Sequence, residues 1–229
     1  MKTLTQDPQG EGMARRQFLR YAGTGAAMAA GVLSVASCKK NPGGVANDHV
    51  DIGSGDIAIL NYAYALEQLE AAFYTQVAAS PYAGISVSEA TYLTDIRDHE
   101  VSHREFFKAA LAGNAIPGLT PDFSSINFAD RTSVLGAAKA FEDLGVAAYN
   151  GAGYMIQNVA YLALAGKIVS VEARHASLIR NLISYGSFAD TTVLDANALD
   201  RAFTPAQVIP IANTFLSGTK ISAPSLGIY

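Results

Sequence analysis

A single cysteine, Cys38, occurs in the 229 residues. That scarcity excludes an internal disulfide, a thiolate zinc cluster and an iron–sulfur site held by this chain alone. Charge is also sparse: 16% of residues are charged, the net charge is −4, and basic clusters are missing beyond the N-terminal region. The electrostatic footprint of a nucleic-acid binder is therefore absent, and no nucleic-acid partner is expected. Outside the N-terminus no apolar run reaches the roughly 20 residues of a spanning helix, because the most apolar later segments are broken by Glu, Arg, Asn or Lys. A membrane-spanning bundle is thereby excluded. Histidine is rare as well, with four in the chain, so the position of each carries information. What the chain does have is a half-hydrophobic composition, enough to close a sizeable core in one domain plus extras.

The first residues stand apart. "ARRQFLRYAGTGAAMAAGVLSVASC" sets Arg15 and Arg16 before Phe18 and Leu19, then an Ala/Gly-rich run that ends at Cys38. It resembles a twin-arginine export signal joined to a lipoprotein cleavage box. That resemblance implies a signal peptide at 1–37, a mature chain beginning at a lipidated Cys38, and a place in the cell envelope or periplasm, anchored to a membrane. Removal of 1–37 leaves 12 basic and 18 acidic residues, a net charge of −6. Residues 38–55, rich in Gly, Asn and Asp, read as a flexible tether with His49 exposed to solvent.

From Asp56 to about Ala79 apolar residues recur at helical spacing, with Asp56 as N-cap. A second helix is expected from about Ser88 to Leu111, stopped by Gly113. Residues 114–130 hold two prolines and no helical period, a connection long enough to cross the end of a bundle. Asp130 caps a third helix to about Tyr154, loosened in its second half by Gly145, Gly151 and Gly153. A fourth helix runs from about Asn158 to Ser184. The expected fold is all-α: an antiparallel four-helix bundle over 56–184 with a long crossover between its second and third helices. A turn-rich C-terminal extension, 185–229, adds one short helix at "TPAQVIPIANTFL", which Pro210 ends or kinks.

The chemistry lies at the helix centres. Glu67 falls about twelve residues before its helix ends, Glu100 about twelve after the next begins, and Glu142 and Glu172 repeat the pattern. Antiparallel neighbours place such residues at one height, about 18 Å from the turn. Two of the four histidines, His103 and His175, follow Glu100 and Glu172 by three residues, a spacing that turns carboxylate and imidazole to one helix face. Burying four carboxylates uncompensated costs several kcal/mol for each charge. Two divalent cations offset four carboxylates, and two imidazoles complete the coordination. Such an oxygen-and-nitrogen set suits iron or manganese better than copper or calcium.

A seven-residue step adds to the pattern. Tyr74 follows Glu67 by seven, and Tyr149 follows Glu142 by seven, so each tyrosine lies two turns along nearly the same face. They stand open between hydrogen-bonding a ligating carboxylate and simple core packing. Glu70 is open between an additional ligand and an exposed helix flank, and His99 between the surface and support of the cluster. Arg97, Asp98, Glu105 and Asp143 read as solvated helix faces, and Arg174 as the partner of a carboxylate outside the cluster.

"LNYAYALEQLEAAFY", "RDHEVSHREFFKAAL", "AFEDLGVAAYNGAG" and "VSVEARHASLIR" resemble the ferritin-like superfamily, and within it the exported branch related to plant desiccation-related proteins. The resemblance covers roughly 56–184. It implies a four-helix bundle with a two-metal site on Glu67, Glu100, His103, Glu142, Glu172 and His175. Superfamily members oxidise ferrous iron, reduce or disproportionate peroxide, or activate dioxygen. Two functions are thus expected in competition. One is redox chemistry at two iron (or manganese) ions with dioxygen or peroxide as the small-molecule oxidant. The other is a non-catalytic envelope stress or partner-binding protein in which metal, if present, is a structural staple.

Overall fold

The computed structural model describes residues 48–228. The signal-like segment, Cys38 and most of the expected tether lie outside the described residues. Four long helices make the bundle: α1 (Gly55–Ala79), α2 (Val87–Leu111), α3 (Arg131–Gly153) and α4 (Val159–Ile183). Short connections make α1 and α2 one antiparallel pair and α3 and α4 the other. No described helix is long and apolar enough to cross a membrane.

Local capping chemistry sets the helix starts. Ser86 accepts from Glu89 N at 3.2 Å, Asp130 from Ser133 N at 2.8 Å and Asn158 from Ala160 N at 2.9 Å. Asp56 is not the N-cap of α1; Ser54 holds that position. The Asp56 carboxylate instead accepts the backbone N–H groups of Gln157 and Asn158, at 2.8 and 2.9 Å, and so ties down the α3–α4 turn. Nor does Gly113 stop α2. The chain leaves the helix at Ala112, with φ of 48°, into a 3₁₀ turn at Ala112–Asn114.

The crossover is held from α1, a helix buried on nearly all sides. Asn61 donates to Ile52 O and Asn114 O and accepts from Ile116 N, while Gln68 accepts from Leu119 N. These two buried amides satisfy backbone groups that have no helical or sheet partner.

The stretch read as a flexible tether ends as structure. β1 (His49–Asp51) pairs in parallel with β2 (Lys220–Ser222), and Ile52 is fully buried beside them. His49 is exposed. The C-terminal extension carries α5 (Pro205–Asn213), which continues three residues beyond Pro210. Proline removes one N–H from the helix ladder, and burial of Val208, Ile209 and Ala212 keeps the helix in place.

The core divides into two apolar clusters. One gathers Tyr62, Leu66, Phe107, Leu111 and Tyr149; the other gathers Phe73, Tyr74, Ile96, Phe141 and Ile179. Between them, at mid-height on all four helices, lies a polar layer.

Candidate metal centre

That layer brings together the six residues singled out by spacing. Glu67, Glu100, Glu142 and Glu172 are fully buried; His175 is 4% exposed and the His103 side chain 14%. They form two overlapping groups, Glu67, Glu100, His103, Glu172 and Glu100, Glu142, Glu172, His175. Within each, one donor atom from every residue lies within 4.8 Å of the others, so each group can hold a metal ion.

Glu100 and Glu172 belong to both groups, and their oxygens are divided between the imidazoles. Glu172 Oε1 stands 2.8 Å from His103 Nδ1 and Oε2 3.5 Å from His175 Nδ1. Glu100 Oε1 stands 2.8 Å from His175 Nδ1 and Oε2 3.7 Å from His103 Nδ1. The outer carboxylates each face one imidazole, Glu67 Oε2 at 3.5 Å from His103 and Glu142 Oε2 at 3.6 Å from His175.

These contacts are close without being aligned hydrogen bonds. Both Nδ1 atoms, both oxygens of Glu100 and Glu172, and Oε2 of Glu67 and Glu142 are buried with no hydrogen-bond partner among the described residues. Leaving one such group unsatisfied costs about 1 to 3 kcal/mol, more for a charged one, so eight in one layer call for a shared partner. Metal–ligand bonds of about 2.1 Å set neighbouring donors about 3 Å apart, the spacing seen here. Donor chemistry, burial and geometry all fit a cation.

Without a cation the cluster is held by protons. Burial disfavours charged imidazoles, yet contacts with Glu100, Glu172 and Glu67 push His103 up to about 12. His175 likewise reaches about 12, against burial, through Glu100, Glu142 and Glu172. Burial also opposes ionisation of Glu100, but the two imidazoles hold its carboxyl at about 2. Burial raises Glu142 to about 8, with His175 opposing. Burial and then the Glu172 charge lift Glu67 well above the usual carboxylate range.

The tyrosines cross between helix pairs. Tyr74 on α1 donates to Glu142 Oε1 at 2.5 Å, and Tyr149 on α3 donates to Glu67 Oε1. Each thus binds the outer carboxylate of the other pair, although sequence spacing sets it on the face of its own helix's glutamate. Burial and the adjoining carboxylate push both phenols well above their ordinary value, so both act as donors. Tyr149→Phe and Tyr74→Phe are each expected to keep the fold and weaken metal binding about tenfold, as measured by competition with a chelator of known affinity.

His99 is exposed, and its Nδ1 lies 2.9 Å from His175 Nε2 with the rings nearly parallel at 9°. With a cation held at Nδ1 of His175, Nε2 would carry the ring's proton and donate it to His99 Nδ1, which would fix the ring.

Glu70 is not on an exposed flank. It is 4% exposed and belongs to neither donor group. Burial, then the charges of Glu100, Glu172, Glu142 and Glu67, push its carboxyl well above the usual range. Gly145 makes room for it, since a Cβ there would stand 3.0 Å from Glu70 Oε1. Gly145 therefore serves close approach, and α3 runs unbroken through it to Gly153.

Asp143 is no solvated residue: it receives Arg180 through two bonds of 2.7 and 2.8 Å. Nothing in the spacing of Arg180 announces this pair, because the arm beyond α4 completes it. Arg174 is exposed and forms no ion pair among the described residues. Arg97 with Asp98 and Arg104 with Glu105 are ion pairs between neighbouring residues on the outer side of α2.

The sequence model of the ferritin-like domain family matches residues 55–185, more than half of the chain. A search of the curated proteins found no match.

Proposed function

Because this chain belongs to the ferritin-like domain family, we propose that its buried cluster binds two iron ions, or two manganese ions, and serves oxidation of ferrous iron or chemistry on peroxide or dioxygen. The observation that carries this reading is the sharing of Glu100 and Glu172 between two donor groups whose facing atoms have no other partner. Once bound, such a pair supplies Lewis acidity and paired one-electron redox steps to a small oxidant. Glu67 and His103 would hold one ion and Glu142 and His175 the other, with Glu100 and Glu172 available to both. Tyr149 and Tyr74 fix the outer carboxylates through their second oxygens. The apolar clusters above and below exclude water, which strengthens every electrostatic contact inside.

The test is elemental analysis of protein purified without added metal, followed by absorption spectra and peroxide assays after ferrous addition under air. Two ions per chain with oxidation above the protein-free rate support the redox reading. Bound metal without turnover supports the non-catalytic staple. No bound metal in any preparation removes the redox reading and leaves a partner-binding protein without metal.

Proton linkage gives a second check. At pH 7 His103, His175 and Glu142 hold protons, with values of about 12, 12 and 8. A cation at those atoms displaces them, so apparent affinity falls as pH falls and protons are released on binding. Calorimetry in buffers of different ionisation enthalpy is expected to show that release; an enthalpy independent of buffer would argue against ligation by these groups.

The N-terminal pattern supports export through a twin-arginine route, lipidation at Cys38 and attachment to an envelope membrane, in keeping with the exported, desiccation-related branch. Cys38→Ser is expected to abolish incorporation of labelled palmitate and release the protein from the membrane fraction. Unchanged labelling would exclude Cys38 as the anchor.

A further inference from the structure

One cleft of the described structure lies away from the cluster. About 480 Å³ in volume, it lies between α3, α4 and the arm 188–203, and none of the six candidate ligands lines it. That size falls in the range of small-molecule sites, about 300 to 1,000 Å³. Small side chains, Ala147, Ala173 and Ala176, make its floor and Ala140 its exposed edge, so two packed helices leave a hollow between them. Leu144, Val193, Leu194 and Phe203 wall it, and Phe188 and Ile211, 58% and 44% exposed, stand at its mouth.

The walls are fixed to the bundle. Phe203 N donates to Ala147 O at 2.8 Å, Asn150 donates to Arg201 O at 3.2 Å, and Arg201 N donates to Val193 O at 3.0 Å. Arg180, 2% exposed, clamps the arm through Thr192 Oγ1 at 2.8 Å and Ser187 O at 3.4 Å.

Charge selects the class of occupant. Arg180 is the buried cation of the cleft, and its guanidinium is taken up by two bonds to Asp143 and a contact of 3.3 Å with Asp190. At the rim Asp200 and Arg201 carry one charge of each sign, and Arg201 Nη2 is engaged by Thr191 O. The charged residues that line the cleft, Asp143 and Asp200 against Arg180 and Arg201, sum to zero, so it offers no net positive charge to a carboxylate, sulfonate or phosphate, and burying an anion here would be costly. One polar handle remains: Ser177 lines the cleft, and its hydroxyl has no hydrogen-bond partner among the described residues.

We infer that this cleft is a binding site for an uncharged, mostly apolar small molecule carrying one hydrogen-bonding group. The inference stands apart from the metal reading, because the walls are present without a cation and no candidate ligand is used.

The test is a fluorescence titration of the full-length, metal-free chain with two probes built on the same rings. One is N-phenyl-1-naphthylamine, which is uncharged; the other is its sulfonated, anionic relative 8-anilino-1-naphthalenesulfonate. The uncharged probe is expected to saturate one site and to bind at least tenfold more tightly than the anionic one. Ala173→Leu, which fills the floor, is expected to weaken it at least tenfold with an unchanged circular dichroism spectrum. Ala140→Leu, at an exposed edge of the same hollow, is expected to do likewise and serves if the first variant does not fold. Absence of saturable binding, equal affinity for the anionic probe, or full affinity in a folded variant overturns the inference.

Discussion

Replacing Glu100 with alanine is expected to take bound metal from two ions per chain to none, whereas Glu142→Ala leaves one. The asymmetry follows from where the oxygens stand. Glu100 sends Oε1 toward His175 and Oε2 toward His103, so its loss strips a donor from both groups, while Glu142 faces His175 alone. Elemental analysis of the two purified variants reads the difference directly. Stability reads it again, since a cation at about a thousand times its Kd stabilises the native state by about 4 kcal/mol. For a chain of this size that is a rise of about 8 to 16 °C in Tm on metal addition. The rise should vanish in Glu100→Ala and persist in reduced form in Glu142→Ala. Equal stoichiometry in the two variants would show that Glu100 does not span both positions.

Gly151→Ala is expected to be the most damaging single methyl addition among the described glycines. A Cβ at Gly151 would lie 1.8 Å from the carbonyl oxygen of Phe203 and 2.5 Å from its carbonyl carbon. Both are backbone atoms, so no side-chain rotation relieves the clash. The arm must move, and the bond from Phe203 N to Ala147 O goes with it. Overpacking of this kind costs about 3 kcal/mol, a fall of about 6 to 12 °C in Tm. Alanine is otherwise the better helix former by about 1 kcal/mol, so a rise in Tm would mean that the arm does not pack here. At Gly145 the neighbour is the flexible carboxyl end of Glu70, which can shift, and Gly145→Ala is correspondingly milder.

The cluster could be read from sequence because its signals are local. Glu100 with His103 and Glu172 with His175 each obey one helical spacing, and helix length alone sets the heights of Glu67 and Glu142. Tyr74 and Tyr149 were legible as facing the layer but not as crossing to the opposite pair, since a seven-residue step says nothing about which neighbouring helix is reached. Partners distant in sequence left less trace. Asn61 and Gln68 look like ordinary helix polar residues until the crossover lies over them, and Asp143 looks solvated until Arg180 is brought to it. The Gly/Asn/Asp-rich composition of 38–55 suggests a tether, but three residues of strand need only a partner, and β2 supplies it from the far end of the sequence. Gly145 and Gly151 read as weak helix formers because the groups that need their missing side chains lie on α1 and on the arm.

The β1–β2 clasp has a mechanical consequence. Tension arriving along the chain from the N-terminal side meets this parallel pair before α1, and a pull along the strand axis loads its cross-strand bonds in shear, all together, instead of peeling them one at a time. Ile52, seated in the core just behind, acts as a second stop. Such a pull would therefore be taken up at the clasp before it reaches Glu67, midway along α1.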